Sequence, residues 1–252
     1  MADLRFDELA DTYGAVRPGY PDSVYDKICA AGNVQKFAVA VDVGCGAGAS
    51  LEGLQRIAAR IIGIEPAPRL RAIAAEKYPA AEMRDGTGME TGLEDASVDL
   101  VTVATAFHWF ERQRALEEFH RILRPGGVFA PYRYDFSVIV GPGHRMLHRQ
   151  MARYWYKHRA EQLTRYDDTF ELMRDSGLFE EVAKIWISHS ITHTAESLAA
   201  YIRSTSYATA YMKTLDDPAA YLKAFTEELA EAQPGEFEVA FDIELVTGRK
   251  PS

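Results

Sequence analysis

Cysteine is scarce in this chain: Cys29 and Cys45 are the only two in 252 residues, and they form no CxxC pair. A disulfide scaffold is therefore excluded, and because Cys45 lies among glycines where a bridge would be awkward, both thiols are expected reduced and the compartment cytoplasmic. Long apolar runs are missing too. No stretch approaches a membrane span, and Met1 to Ala10 carries Asp3, Asp7 and Glu8 in place of an apolar leader core, so neither a membrane partner nor export is expected. Positive charge is in deficit, with 28 basic against 37 acidic residues and a net charge of −9. A phosphate backbone needs a basic face, so nucleic acid is not the expected partner. Internal repeats, low-complexity tracts and long charge runs are likewise missing. What is present is 47% hydrophobic content, ample for the core of one α/β domain with an elaboration.

The stretch AVDVGCGAGAS, from Ala40 to Ser50, organises the rest. An apolar run from Phe37 to Val43 breaks into Gly44, Gly46 and Gly48 before Leu51, Leu54 and Ile57 resume at helical spacing, which reads as strand, tight loop and helix. Glycines suit such a loop because it needs positive φ angles and because a ligand can then lie against bare backbone. A second strand, Arg60 to Ile64, ends at Glu65, where a carboxylate can accept hydrogen bonds from both ribose hydroxyls of an adenosine. At such a strand tip Glu65 is read as functional, so that its removal should spare folding.

Asp22 is expected to cap a helix through Val24, Tyr25 and Ile28 that ends near Gly32. Pro66 and Pro68 start a helix carrying Leu70, Ile73 and Ala74, and a short third strand ends near Asp85. Val98 to Ala104 is a β-branched strand that delivers Thr105, His108 and Trp109 at its carboxyl end. A helical stripe over Leu116, Phe119, Ile122 and Leu123 and a strand from Val128 to Ala130 complete five alternations, the signature of a parallel sheet covered on both faces. From Tyr132 to Ser176 the pattern turns helical and rich in Arg, His and aromatics, as an inserted cap. A sixth strand is expected over Phe179 to Ile187, helices over Ala195 to Met212 and Pro218 to Ala232, and one closing strand over Glu236 to Thr247, alternating Phe237, Val239, Phe241, Ile243 and Leu245.

The loop alone leaves the cofactor open. GCGAGA satisfies GxGxG, and from Gly44 to Ala49 also the looser GxGxxA of dinucleotide folds, although no second glycine loop follows a later strand. VDVGCGAG, the GIEP around Glu65, Asp85 before Gly86, SVDLVTVATAFHWF and LRPGGVF together resemble the signature segments of class I S-adenosylmethionine-dependent methyltransferases. The opening FDELADTYGAVRPGYP and the HWF narrow the resemblance to the small-molecule branch that contains trans-aconitate methyltransferase-like proteins. It implies an α/β fold with a Rossmann-like seven-stranded, mostly parallel sheet, an antiparallel last strand, helices on both faces and a helical cap. A single domain over 1–252 is expected, with a lid over 1–21 and cap elements over 132–176 and 195–232.

By the same resemblance Gly44, Cys45, Gly46 and Gly48 approach the methionine part of S-adenosyl-L-methionine. Glu65 and Pro66 take the ribose, and Asp85, Gly86 and Thr87 the adenine. Ala104, Thr105 and His108 flank the sulfonium, and Tyr13 and Arg17 cover the cofactor. The product is S-adenosyl-L-homocysteine and the partner a small-molecule acceptor. Two other functions fit the loop: a nicotinamide-dependent oxidoreductase, and a protein that binds S-adenosylmethionine without transferring methyl.

His108 is either a general base or a helix cap packed under Trp109, and Trp109 is either acceptor pocket or core. Tyr132, with Arg145 and Arg149 four apart on one helix face, suits an anionic acceptor such as a carboxylate, whereas a solvated basic face is the plainer alternative. His144 and His148 share metal-ligand spacing but have no third ligand, and no metal is expected. The acceptor's identity, its nucleophilic atom and the oligomeric state are left open.

Overall fold

The structure, a computed structural model, describes residues 19–134, 138–159 and 168–252. Tyr13, Arg17 and most of the expected lid lie outside the described residues. The first half runs α1 (Asp22–Gly32), β1 (Phe37–Val43), α2 (Leu51–Ile57), β2 (Ala58–Ile64), α3 (Pro68–Lys77), β3 (Glu82–Arg84), β4 (Val98–Ala104), α4 (Arg112–Ile122) and β5 (Leu123–Tyr134). There follow β6 (Val138–Ile139), α5 (Gly143–Gln150), α6 (Thr169–Asp175), β7 (Glu180–Ile187) and β8 (Ser190–His193). The chain then gives α7 (Ala195–Arg203), α8 (Ser206–Met212), α9 (Pro218–Ala232), β9 (Phe237–Ala240) and β10 (Ile243–Arg249).

Seven strands form one sheet in the order β3-β2-β1-β4-β5-β10-β7. β1 pairs in parallel with β2 and β4, while β10 runs antiparallel to both β5 and β7. This is the Rossmann-like fold with its antiparallel last strand. Strand pleating splits the core between two faces: Ala40 and Leu100 pack with Tyr25, Ile28 and Leu54, and Val41, Val101 and Val103 pack with Leu116, Phe119 and Phe129. Both faces are apolar because helices cover both. Among the described residues no helix is long and apolar enough to cross a membrane.

Four expectations change. Asp22 stands in the first turn of α1 and makes no side-chain capping bond, its carboxylate pairing with Arg56 instead. The closing strand is two strands: β9 pairs with β6 and β8 in a separate three-stranded sheet, and after Phe241 and Asp242 the chain enters the main sheet as β10. The stretch from Ala195 to Met212 is two helices, because Ser204 and Thr205 turn their hydroxyls onto the Tyr201 and Ile202 carbonyls at 2.6 and 2.7 Å and end α7. Of the cap expected over 132–176, Tyr132 and Tyr134 belong to β5, and α6 packs on the main sheet, with Met173 fully buried beside Phe179.

Candidate active site

At the end of β1 the backbone turns through left-handed geometry at Gly44 (φ 72°), Gly46 (φ 56°) and Gly48 (φ 90°). A Cβ on Gly44 would come within 2.8 Å of Ala106 Cβ, and one on Gly48 within 2.7 Å of the Tyr78 ring, so the loop needs glycine for space as well as for φ. The turn is pinned to the neighbouring strand. The Gly44 and Cys45 N–H groups both donate to the Ile64 carbonyl, at 2.8 and 3.2 Å. Glu65, buried at the tip of β2, accepts from Gly46 N–H and from Ala67 N–H, each at 2.9 Å. It is a strut between two turns as well as a candidate ribose ligand.

Beneath the loop Asp42 is fully buried, accepting from Thr102 Oγ1 at 2.7 Å and from the Ser50 hydroxyl, whose carbonyl receives the Tyr25 phenol at 2.9 Å. Burial pushes the Asp42 carboxyl up to about 6, against the pull of the two hydroxyls, and the Glu65 charge adds to the rise. Burial also drives the Cys45 thiol well above its ordinary range, and its side chain is buried beneath the turn. The sequence reading missed Asp42, Ser50 and Thr102. An acid inside the otherwise apolar FAVAVDV was the signal for the first of them.

Over the loop lies a cleft lined by Gly19, Tyr20, Gly44, Cys45, Gly46, Tyr78, Ala104, Thr105 and Tyr134. Tyr20 stacks on Tyr134 at 4.7 Å and its phenol shares a hydrogen bond with Thr105 Oγ1 at 2.8 Å. Thr105 holds a left-handed backbone (φ 54°) and donates its N–H to the Tyr132 carbonyl at 2.7 Å. A threonine at positive φ is strained and needs this surrounding support. Tyr20 could not be found from sequence, since 85 residues separate it from its partner.

Beyond Thr105 a narrow second depression is lined by His108, Arg112, Tyr132, Arg133 and Glu244. His108 therefore sits on the far side of Thr105 from the glycine turn, in a 3-10 turn (Phe107–Trp109), its ring 4.8 Å from that of Trp109. Trp109 itself is half-buried and is not among the residues lining either depression. Tyr132 is buried between Tyr20 and Tyr25, its phenol raised well above the usual range by desolvation.

Asp85, Gly86 and Thr87 follow β3 beside Glu65, whose N–H bonds to the Arg84 carbonyl at 3.1 Å. The Asp85 side chain is 76% exposed and pairs with Arg71 at 3.1 Å, and Arg71 also donates to the Glu65 carbonyl at 2.6 Å. Pro66 is half-buried at the same corner. Arg145 and Arg149 are not brought to either depression. α5 buries Gly143, Met146 and Leu147, which leaves both arginines exposed on the opposite side, Arg149 3.6 Å from Glu228 on α9. The plainer reading of that face as solvated is the one the structure supports.

Residues 41–130 match a family described as a methyltransferase domain. An uncharacterised methyltransferase-like protein of Schizosaccharomyces pombe is 35% identical over 124 residues, 48% of this chain and 47% of its own length. A protein of Dictyostelium discoideum named as a methyltransferase is 28% identical over 218 residues, 84% of this chain and 80% of its own length. The match thus spans about half the length of the Schizosaccharomyces relative and more of the Dictyostelium one. Among solved structures, a protein from Anaeromyxobacter dehalogenans named as a type II methyltransferase superposes with a TM-score of 0.75 at 24% identity, covering 94% of this chain and 100% of that one. Residues 41–130 thus match a methyltransferase domain, and the chain shares the Rossmann-like α/β fold of the solved methyltransferase.

Proposed function

We propose that this chain transfers a methyl group from S-adenosyl-L-methionine to a small-molecule acceptor, releasing S-adenosyl-L-homocysteine, as a single domain acting in the cytoplasm, and that it belongs with the trans-aconitate methyltransferase-like branch. One observation carries the reading: a glycine turn held open by Glu65 faces a cleft whose other wall is Ala104, Thr105 and Tyr20. Gly44, Cys45 and Gly46 on that cleft, with Gly48 in the same turn, lie along the methionine part, and Glu65, bonded to the turn from behind, takes the ribose. Asp85, Gly86 and Thr87 bound the adenine end, with Asp85 steadied by Arg71. Tyr13 and Arg17 cover the cofactor from the N-terminal segment. A net charge of −9 supports a small molecule over nucleic acid as acceptor.

The bound cofactor supplies an electrophilic methyl on a sulfonium, which departs as a neutral thioether. The protein's part in such an in-line displacement is alignment and exclusion of water. Thr105, fixed by Tyr20 and the Tyr132 carbonyl, forms the wall past which the acceptor reaches the methyl. For a hydroxyl or amine acceptor His108 takes the proton; a carboxylate needs no base. Calorimetry with S-adenosylmethionine, S-adenosylhomocysteine and NAD, followed by turnover against a metabolite library, tests the reading. Binding of the first two with product formation is expected. NAD binding alone, or cofactor binding with no acceptor methylated, would overturn it.

A further inference from the structure

We infer that Lys77 and Glu52 form a zwitterion subsite at the α3 end of the glycine-turn cleft, Lys77 holding the carboxylate and Glu52 the ammonium of the cofactor's amino-acid portion; the inference rests on the methyl-transfer reading above. The turn itself gives the cleft a direction. Gly44 abuts Ala106, the neighbour of Thr105, since a Cβ there would come within 2.8 Å of Ala106 Cβ, whereas Gly48 abuts the ring of Tyr78 at the end of α3. A ligand with its sulfonium beside Thr105 and its methionine portion along the turn therefore carries its amino-acid terminus toward Tyr78. Lys77 precedes that tyrosine and holds its ammonium 5.2 Å from the centroid of the same ring. Glu52, in the first turn of α2, lines the cleft together with Ser50 and Lys77.

The charges select the ligand. Among the described residues that line this cleft, Lys77 is the sole cation and Glu52 the sole acid. Neither side chain has an ion pair among the described residues, so the two do not neutralise one another. A ligand with a carboxylate alone would meet Lys77 but set like charge against Glu52, and one with an ammonium alone would meet Glu52 but oppose Lys77. An amino-acid end carries both groups on one carbon and satisfies both residues. Lys77 and Glu52 are exposed, so each contact has the size of a surface ion pair and is screened by salt. The subsite therefore acts on selectivity, favouring ligands whose amino-acid end is intact over those that have lost it.

The test is calorimetry on the full chain at low ionic strength with S-adenosylhomocysteine, its decarboxylated analogue, its deaminated analogue, and methylthioadenosine, which lacks both charged groups. Lys77→Gln should weaken S-adenosylhomocysteine and the deaminated analogue, which keep the carboxylate, by up to about fivefold. Glu52→Gln should do the same to S-adenosylhomocysteine and the decarboxylated analogue, which keep the ammonium. Methylthioadenosine should bind both variants as it binds wild type, and the losses should fade in high salt. Substitutions at two exposed positions should leave unfolding curves matching wild type. A variant that weakens every ligand equally, or S-adenosylhomocysteine binding untouched in both variants, would overturn the subsite while leaving cofactor binding intact. If the wild-type chain binds neither S-adenosylhomocysteine nor methylthioadenosine, the methyl-transfer reading falls and the subsite with it.

Discussion

The glycine turn and the arginine-bearing helix α5 are both short, both carry residues weighed for a site, and of the two the turn lines the cleft. The turn's placement resides in backbone geometry: three left-handed glycines at the end of a buried parallel strand lie wherever the strand ends, and in open parallel sheets ligands bind at the carboxyl ends of strands. A helix has no such default. Its orientation is set by whichever stripe is most apolar, and Met146 and Leu147, continued by Met151 and Trp155, outweigh every arginine between them. Arg145 and Arg149 were consigned to solvent by their neighbours. A charged stripe on a helix is informative only after the apolar stripe has been placed.

The sharpest break of this comparison is Gly44→Val. A β-branched residue at φ 72°, with its Cβ 2.8 Å from Ala106, combines left-handed strain with overpacking. The expected cost is on the order of 2–5 kcal/mol of stability, read by denaturant unfolding, with S-adenosylhomocysteine binding lost. A smaller loss is expected for Glu65→Ala, and here the structure revises the expectation that folding is spared. Removing the carboxylate strands the Gly46 and Ala67 amides, which costs on the order of 2–3 kcal/mol of stability in addition to a comparable loss of cofactor affinity. Unfolding curves identical to wild type would remove the strut role.

Next in size is a pH effect. The Asp42 carboxyl is raised from 3.8 to about 6 in the folded chain, so its contribution to stability is fully present below about 4 and is lost as pH rises through about 6. Asp42→Asn should flatten the stability profile across that window, by on the order of 2 kcal/mol relative to wild type. Parallel profiles would show that the carboxyl titrates normally. The smallest effect sharpens the other side of the comparison: Arg145→Gln and Arg149→Gln, on an exposed face, should change stability by less than about 0.5 kcal/mol and leave kcat and KM alone.

Much of the fold was legible where one segment holds its own signal. β1, β4 and α9 have the ends their apolar runs and Pro218 imply, and the antiparallel last strand followed from the resemblance. What escaped was decided by distant partners or by small side chains. The alternation from Phe237 to Leu245 continues unbroken into the core, since all five residues are buried, although the strand changes sheets in the middle. Nothing in a period of two records which sheet a face belongs to. The site shows the same division. Gly44, Gly46, Ala104 and Thr105 lie on one cleft, whereas Tyr20, Thr102 and Glu244 enter through pairings across 60 or more positions: Tyr20 with Thr105, Thr102 with Asp42, Glu244 with Arg133.

The placement of β10 has a consequence for the order in which the molecule can be assembled. This strand lies between β5 and β7, yet both of those precede it in the chain, so during synthesis β5 and β7 emerge without the strand that joins them. Until residues 243–249 leave the ribosome, the sheet ends in an unpaired β5 edge, and the Arg133 guanidinium has not met the Glu244 carboxylate that neutralises it. The domain is thus obliged to close late, through contacts of long sequence separation, the kind that slow folding and prolong exposure of a pairing edge. A ribosome stalled just before residue 243 should carry a chain whose first four strands resist protease while β7, which has β10 as its sole neighbour in the main sheet among the described residues, remains digestible.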